Sequence, residues 1–166
     1  MLKPAVFLDR DGVVNKEKGY VHKISEFEWI DGAKESIKYL NDNNFYVFIA
    51  TNQSGIARGY YSEGDVRFLH DYISKELKTI NAHIDEFFFS PYHPDNTNEY
   101  LHLSHLRKPE TGMLDLAVSK WPVDKSKSFL IGDKATDIEC AKKFSIRGYL
   151  FENGNLLDFI KSIENI

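Results

Sequence analysis

Apolar residues occur in short bursts separated by stretches of helical period, and this alternation predicts a sheet covered by helices. Five bursts read as strands, namely Ala5 to Leu8, Phe45 to Thr51, Glu86 to Phe89, Ser128 to Ile131 and Gly148 to Phe151. Short runs that are apolar throughout suit strands buried on both faces. Between them lie helical patterns. Val66, Leu69, Ile73 and Leu77 share one face, and Ser62 followed by Asp65 three residues on has the form of a capping box that would start that helix. Met113, Leu114, Ala117, Val118 and Trp121 repeat the spacing in the next helix. The order of elements predicts an α/β fold, a single Rossmann-like doubly wound and mainly parallel sheet with helices on both faces. Ser90 to Leu106 follows neither period and is expected to be a long loop, a feature that in compact domains is usually functional or disordered.

Length and charge narrow the picture. A chain of 166 residues with 42% hydrophobic content can close one sizeable core, so residues 1–166 are read as one domain with no space for a large cap. A net charge of -4 argues against nucleic acid or an anionic membrane as partner, because phosphate contacts need clustered Lys and Arg. A small anionic substrate remains compatible, since a few local cations and a metal override the mean charge. Cys140 is the only cysteine, lies in a predicted helix and is read as a small buried apolar side chain. The longest apolar run, Phe45 to Ala50, falls far short of the ~20 residues of a membrane span. Asp9 and Arg10 interrupt the N-terminus too early for a signal peptide, so a reducing cytoplasm is the expected location. Nothing in the sequence demands an interface, and a monomer is expected.

The chemistry starts at Asp9-Arg10-Asp11-Gly12, which follows the first predicted strand. A strand that breaks at a glycine can aim Asp9, the Asp11 side chain and the Asp11 backbone carbonyl at one small space. One carboxylate could then attack phosphorus while the other handles a proton. Alone, the pair is equally the pattern of a helix N-cap or a solvated turn. Two more polar clusters, Thr51-Asn52 and Gly132-Asp133, also follow predicted strands, where open α/β sheets collect their ligands. Three such clusters favour a site over a turn.

Taken with Lys108 and Asp137, these motifs resemble, in order, the haloacid dehalogenase superfamily of aspartate-nucleophile phosphatases. Gly19-Tyr20-Val21-His22, the run from Thr51 to Gly59, and Arg107-Lys108-Pro109 with Gly112-Met113 are similar to the heptose 1,7-bisphosphate phosphatases and the related histidinol-phosphate phosphatases. The resemblance implies that Asp9 is a nucleophile forming an aspartyl phosphate and that Asp11 is the acid/base. It implies Mg²⁺ on Asp9, the Asp11 carbonyl and Asp133, and phosphate contacts from Thr51, Asn52 and Lys108. Asp137 would orient Lys134 or a metal-bound water. Gly19, Tyr20, Val21, His22, Gln53, Ser54, Gly55, Arg58 and Arg107 would form the rim that recognises the sugar and its second phosphate. The implied reaction releases the C7 phosphate of a heptose bisphosphate, on the route to lipopolysaccharide or capsule. Histidinol phosphate or another small sugar phosphate is the alternative substrate, and a receiver-like module that only accepts phosphate on an aspartate is a non-enzymatic alternative.

Many relatives carry a zinc-stapled loop with the spacing Cys-x-His and Cys-x-Cys, where this chain has Ser90, Tyr92, Ser104 and Leu106. Ser and Leu cannot replace soft ligands, so a structural zinc is expected to be absent. His93, His102 and His105 could be imagined as a substitute triad, but solvent-facing histidines are the expectation. Packing of Tyr92, Tyr100, Leu101, Leu103 and Leu106 is expected to stabilise this loop instead.

Overall fold

The computed structural model describes residues 1–96, 99–163 and 166. Among them, five strands form one parallel sheet: β1 (Ala5–Leu8), β2 (Tyr46–Asn52), β3 (Glu86–Ser90), β4 (Phe129–Gly132) and β5 (Arg147–Leu150), in the order β3-β2-β1-β4-β5. Each predicted strand is present, its ends displaced by no more than a residue. The helices are α1 (Ala33–Asp42), α2 (Glu63–Lys78), α3 (Gly112–Lys120), α4 (Ala135–Phe144) and α5 (Leu156–Ser162).

Strand side chains alternate between two cores. Val6 and Leu8 of β1 join the layer beneath α1, α2 and α5, where Ile37, Leu69, Ile73, Leu77 and Ile160 are buried. Ala5 and Phe7 point the other way, against Met113, Leu114 and Ala117 of α3 and Cys140, Ala141 and Phe144 of α4. Cys140 is therefore a core residue, and burial pushes its thiol up to about 11. The predicted start of α2 forms as a full capping box: Asp65 N–H donates to Ser62 Oγ (3.1 Å), and Ser62 N–H donates to Asp65 Oδ2 (2.8 Å).

Of the expected Ser90 to Leu106 loop, residues 97 and 98 lie outside the described residues, and the described part is not irregular throughout. A 3-10 helix covers Leu101–Leu106, with Leu103 and Leu106 on the α3 core and Tyr100 against Ile56, Tyr61 and Val66. Leu101 corrects the expected packing, because it is 57% exposed. In a 3-10 turn, side chains three residues apart eclipse, so Leu103 and Leu106 share the inner side and leave Leu101 outside.

Candidate active site

Strand order reverses between β1 and β4, and the polar clusters meet at the carboxyl ends of the strands beside that point. Asp9 follows β1, Thr51 and Asn52 end β2, and Asp133 follows β4. Lys108 comes from the far side of the 3-10 helix and is clamped at the end of β2. Its backbone N–H donates to Asn52 Oδ1 (3.0 Å), and Asn52 Nδ2 donates to its carbonyl (3.1 Å). That reciprocal pair turns the Lys108 side chain inward. Its Nζ lies 2.6 Å from Asp137 Oδ1 and 3.1 Å from Asp9 Oδ1, and donates to the Ala50 carbonyl at 2.7 Å. Of these contacts the one to the Ala50 carbonyl is a hydrogen bond, while the two carboxylates face Nζ as ion pairs.

Both partners are nearly inaccessible, Lys108 at 3% and Asp9 at 7% exposure. Burial disfavours the Lys108 ammonium, but Asp9 and Asp137 outweigh it and hold the group above the ordinary lysine range. Burial is the largest influence on Asp9 and raises its carboxyl well above the usual range; Lys108 opposes this, while Asp137, Asp11 and Asp133 add to it. The cluster thus has more negative charge than Lys108 alone can balance.

A hard cation fits that imbalance. Asp9, Asp133 and Asp137 each place a carboxylate oxygen within 4.8 Å of the others. Asp133 Oδ1 is buried and has no hydrogen-bond partner among the described residues, the condition of a donor waiting for an ion. An all-oxygen donor set suits Mg²⁺ rather than a soft metal. Asp137 is the least free of the three. Its Oδ2 accepts the Lys134 backbone N–H at 3.1 Å and caps α4, while Oδ1 serves Lys108. Asp137 does meet Lys134, but at the main-chain amide and not at the ammonium, and what it orients most directly is Lys108.

Gly12 lets the acidic groups close up. Its φ of +90° is a left-handed value, and an added Cβ would strike the Asp133 carboxylate. Gly12→Ala is expected to cost about 1–3 kcal/mol and lower the melting temperature by roughly 2–12 °C. An unchanged thermal melt would show that Asp133 can retreat freely.

Asp11 sits in a web of donors that sequence reasoning did not find. Arg10 Nη2 reaches both carboxylate oxygens (3.1 and 3.3 Å), Asn15 Nδ2 donates to Oδ1 (3.0 Å) and Gln53 Nε2 donates to Oδ2 (2.9 Å). Gln53 also donates to Thr51 Oγ1 (2.8 Å), and its Oε1 accepts from Tyr61 Oη (2.6 Å). Thr51 is buried, lines neither hollow of the site and accepts from Gln53 through Oγ1. Arg10 stands between two aspartates in the sequence, and that flanking was the available signal. Tyr61 and His70 had none, since Tyr61 reaches the cavity from the turn before α2 and His70 reaches only Arg10, from the buried face of α2.

A deep hollow of about 60 Å³ is lined by Asp9, Asp11, Asn52, Lys108, Lys134 and Asp137, together with Glu17 and Thr136. It shares walls with an outer cavity of about 430 Å³ that adds Gly19, Tyr20, Gln53, Ser54, Tyr61 and Arg107. The predicted rim divides here. Gly19, Tyr20, Ser54 and Arg107 line the outer cavity, and Gln53 lines it from a buried position where it grips Asp11. Val21 is buried and contributes its carbonyl to Arg10 (2.6 Å). His22 stacks on Tyr61 at 4.7 Å, and Gly55 leaves room for the Tyr61 ring. These three shape the rim from behind. Arg58 also stands back from the cavity, with Nη2 2.8 Å from His93 Nε2.

His93 is thereby engaged by an arginine, and burial together with Arg58 and Arg107 lowers its tendency to protonate. His102 and His105 are exposed on the 3-10 helix. Of the positions where the resemblance would place zinc ligands, Ser90 is buried at the end of β3 and Leu106 lies in the α3 core.

A family model described as polynucleotide kinase 3 phosphatase matches residues 5–161. A D-glycero-beta-D-manno-heptose-1,7-bisphosphate 7-phosphatase of Rhodopseudomonas palustris is 47% identical over 163 residues, covering 97% of this chain and 90% of that relative. The chain belongs to the heptose-bisphosphate phosphatase family. Another member of the heptose-bisphosphate phosphatases, the D-glycero-alpha-D-manno-heptose-1,7-bisphosphate 7-phosphatase of Campylobacter jejuni, is 39% identical over 168 residues, covering 100% of this chain and 93% of that one. Among solved structures, the D,D-heptose 1,7-bisphosphate phosphatase of B. bronchiseptica, complexed with magnesium and phosphate, matches with a TM-score of 0.80 and 29% identity. That match covers 97% of this chain and 87% of the other. As a heptose-bisphosphate phosphatase family member, the chain is a phosphatase of the haloacid dehalogenase superfamily.

Proposed function

We propose that the chain is a Mg²⁺-dependent phosphomonoester hydrolase that removes the C7 phosphate of D-glycero-D-manno-heptose 1,7-bisphosphate through an aspartyl phosphate on Asp9. The observation that carries this reading is the buried Asp9, held 3.1 Å from Lys108 Nζ at the floor of the small hollow. Asp9 attacks phosphorus, the bond from phosphorus to the C7 oxygen breaks, and Asp11 gives the leaving oxygen a proton. Asp11 then takes a proton from water, which attacks phosphorus and breaks the bond to Asp9. Thr51 Oγ1, the Asn52 backbone N–H and Lys108 meet the phosphate oxygens. Mg²⁺, held by Asp9, the Asp11 carbonyl and Asp133, would supply the positive charge that lets a carboxylate approach a dianionic phosphate.

Gly19, Tyr20, Ser54 and Arg107 then face the sugar and its second phosphate, with Arg107 suited to a bidentate grip. Val21, His22, Gln53, Gly55 and Arg58 support that rim from behind. With no thiolate at Ser90, Tyr92, Ser104 or Leu106, the enzyme works without a structural zinc. Among the described residues no helix is long and apolar enough to cross a membrane. We place the enzyme in the cytoplasm as a monomer, supplying heptose for lipopolysaccharide or capsule.

The test is turnover of both anomers of the heptose bisphosphate beside histidinol phosphate. A higher kcat/KM for the heptose bisphosphate than for histidinol phosphate is expected, with activity lost in EDTA and restored by Mg²⁺. Preference for histidinol phosphate would overturn the substrate, and release of a single equivalent of phosphate would favour a receiver-like role.

A further inference from the structure

We propose that His70 is a positioning residue for the acid/base carboxylate, acting through Arg10, so that Asp11 and the substrate loop are aligned from behind by helix α2. This inference rests on the reading of Asp11 as the acid/base. Arg10 has no exposed surface. One of its terminal nitrogens donates to the Asp11 carboxylate and to the Val21 carbonyl, so the acid/base and the loop that ends in His22 share a single anchor. The other terminal nitrogen lies 3.3 Å from His70 Nε2.

A guanidinium can only donate, so Nε2 must accept, and the imidazole is neutral with its proton on Nδ1. The ring is pinned flat against Phe87, with centroids 4.4 Å apart and planes 17° from parallel. Its neighbours Leu69 and Ile73 are wholly buried, which fixes α2 against the sheet. Because the guanidinium is planar and rigid, holding one terminal nitrogen sets the direction of the other. His70 lines neither hollow, so it touches no substrate and can act only through Arg10. Burial, and then the charges of Arg10 and Arg67, keep the imidazole well below the usual histidine range, consistent with a permanent acceptor.

His70→Phe keeps a flat ring on Phe87 and removes the acceptor, whereas His70→Gln retains an acceptor near the place of Nε2. Both are assayed on p-nitrophenyl phosphate, which does not depend on the heptose assignment, and on the heptose bisphosphate. Phe is expected to lower kcat about 10- to 100-fold with KM changed less than about twofold, and Gln to recover most of the loss. Equal losses in the two variants, or none in Phe, would overturn the proposal. Asp11→Asn run alongside separates the readings: if it remains active the acid/base assignment fails, and if it is inactive while Phe is normal the positioning role fails. Should Phe not fold, ¹⁵N NMR of the wild-type imidazole decides. A proton on Nδ1 with Nε2 bare supports the role, and a proton on Nε2 overturns it.

Discussion

Asp9→Asn is expected to lower phosphate release by roughly 10⁴-fold or more while leaving the protein folded and at least as stable as before. The two effects have different causes. In the proposed mechanism Asp9 is the attacking carboxylate, and an amide in its place would remove the covalent route whatever the substrate. The stability effect follows from burial, which raises the Asp9 carboxyl well above its usual range despite Lys108. The folded state therefore holds that proton more tightly than the unfolded chain does. As pH climbs past the ordinary aspartate value of ~3.9, the unfolded chain ionises first and metal-free stability falls, a cost that the amide escapes. Lys108 is not orphaned by the change, because Asp137 Oδ1 at 2.6 Å and the Ala50 carbonyl at 2.7 Å remain. Thermal melts in EDTA should show the variant equal to or above wild type at neutral pH. Turnover within about 100-fold of wild type would mean that another group attacks phosphorus.

That contrast depends on a layout that is largely legible in the sequence. Strands buried on both faces have little freedom in composition, so the runs at Ala5, Phe45 and Ser128 stood out, and residues following their carboxyl ends could be placed together by topology alone. Helix α2 announced itself through its cap and the spacing of Val66, Leu69, Ile73 and Leu77. Contacts that depend on how a loop folds back were not legible. Gln53 reads like any polar residue of a rim, yet the turn after β2 buries it against Asp11 and Thr51. Tyr20, with φ at +53°, follows a left-handed Gly19, and this reversal sends the Val21 carbonyl inward to Arg10. No periodicity encodes such a turn. Leu101 was misjudged for a related reason, since apolar character predicts burial on average while the phase of a short 3-10 helix decides which side chain is left outside.

Lys108→Met should do the opposite of Asp9→Asn, removing both activity and stability. Methionine can follow the lysine stem through the same channel, so lost packing is a small part of the effect. The larger part is electrostatic: Asp9 and Asp137 both direct an oxygen at Nζ, and without the ammonium they face each other with Asp133 nearby, while the buried Arg10 guanidinium is engaged by Asp11. Breaking a buried ion pair from one side costs about 3–5 kcal/mol, or a fall of roughly 6–20 °C in melting temperature for a chain of this size. Acid should recover part of that loss, because a proton on one carboxylate removes the repulsion. Mg²⁺ should recover part as well by entering the same acidic cluster, but it should not restore turnover if Lys108 meets the phosphate as proposed. The double variant Asp9→Asn with Lys108→Met carries one buried carboxylate fewer and should melt above Lys108→Met alone, with a coupling that neither single change displays. A melting temperature for Lys108→Met within about 2 °C of wild type in EDTA would mean that the aspartates are already protonated or solvated, and that the ammonium does not balance charge in the resting site.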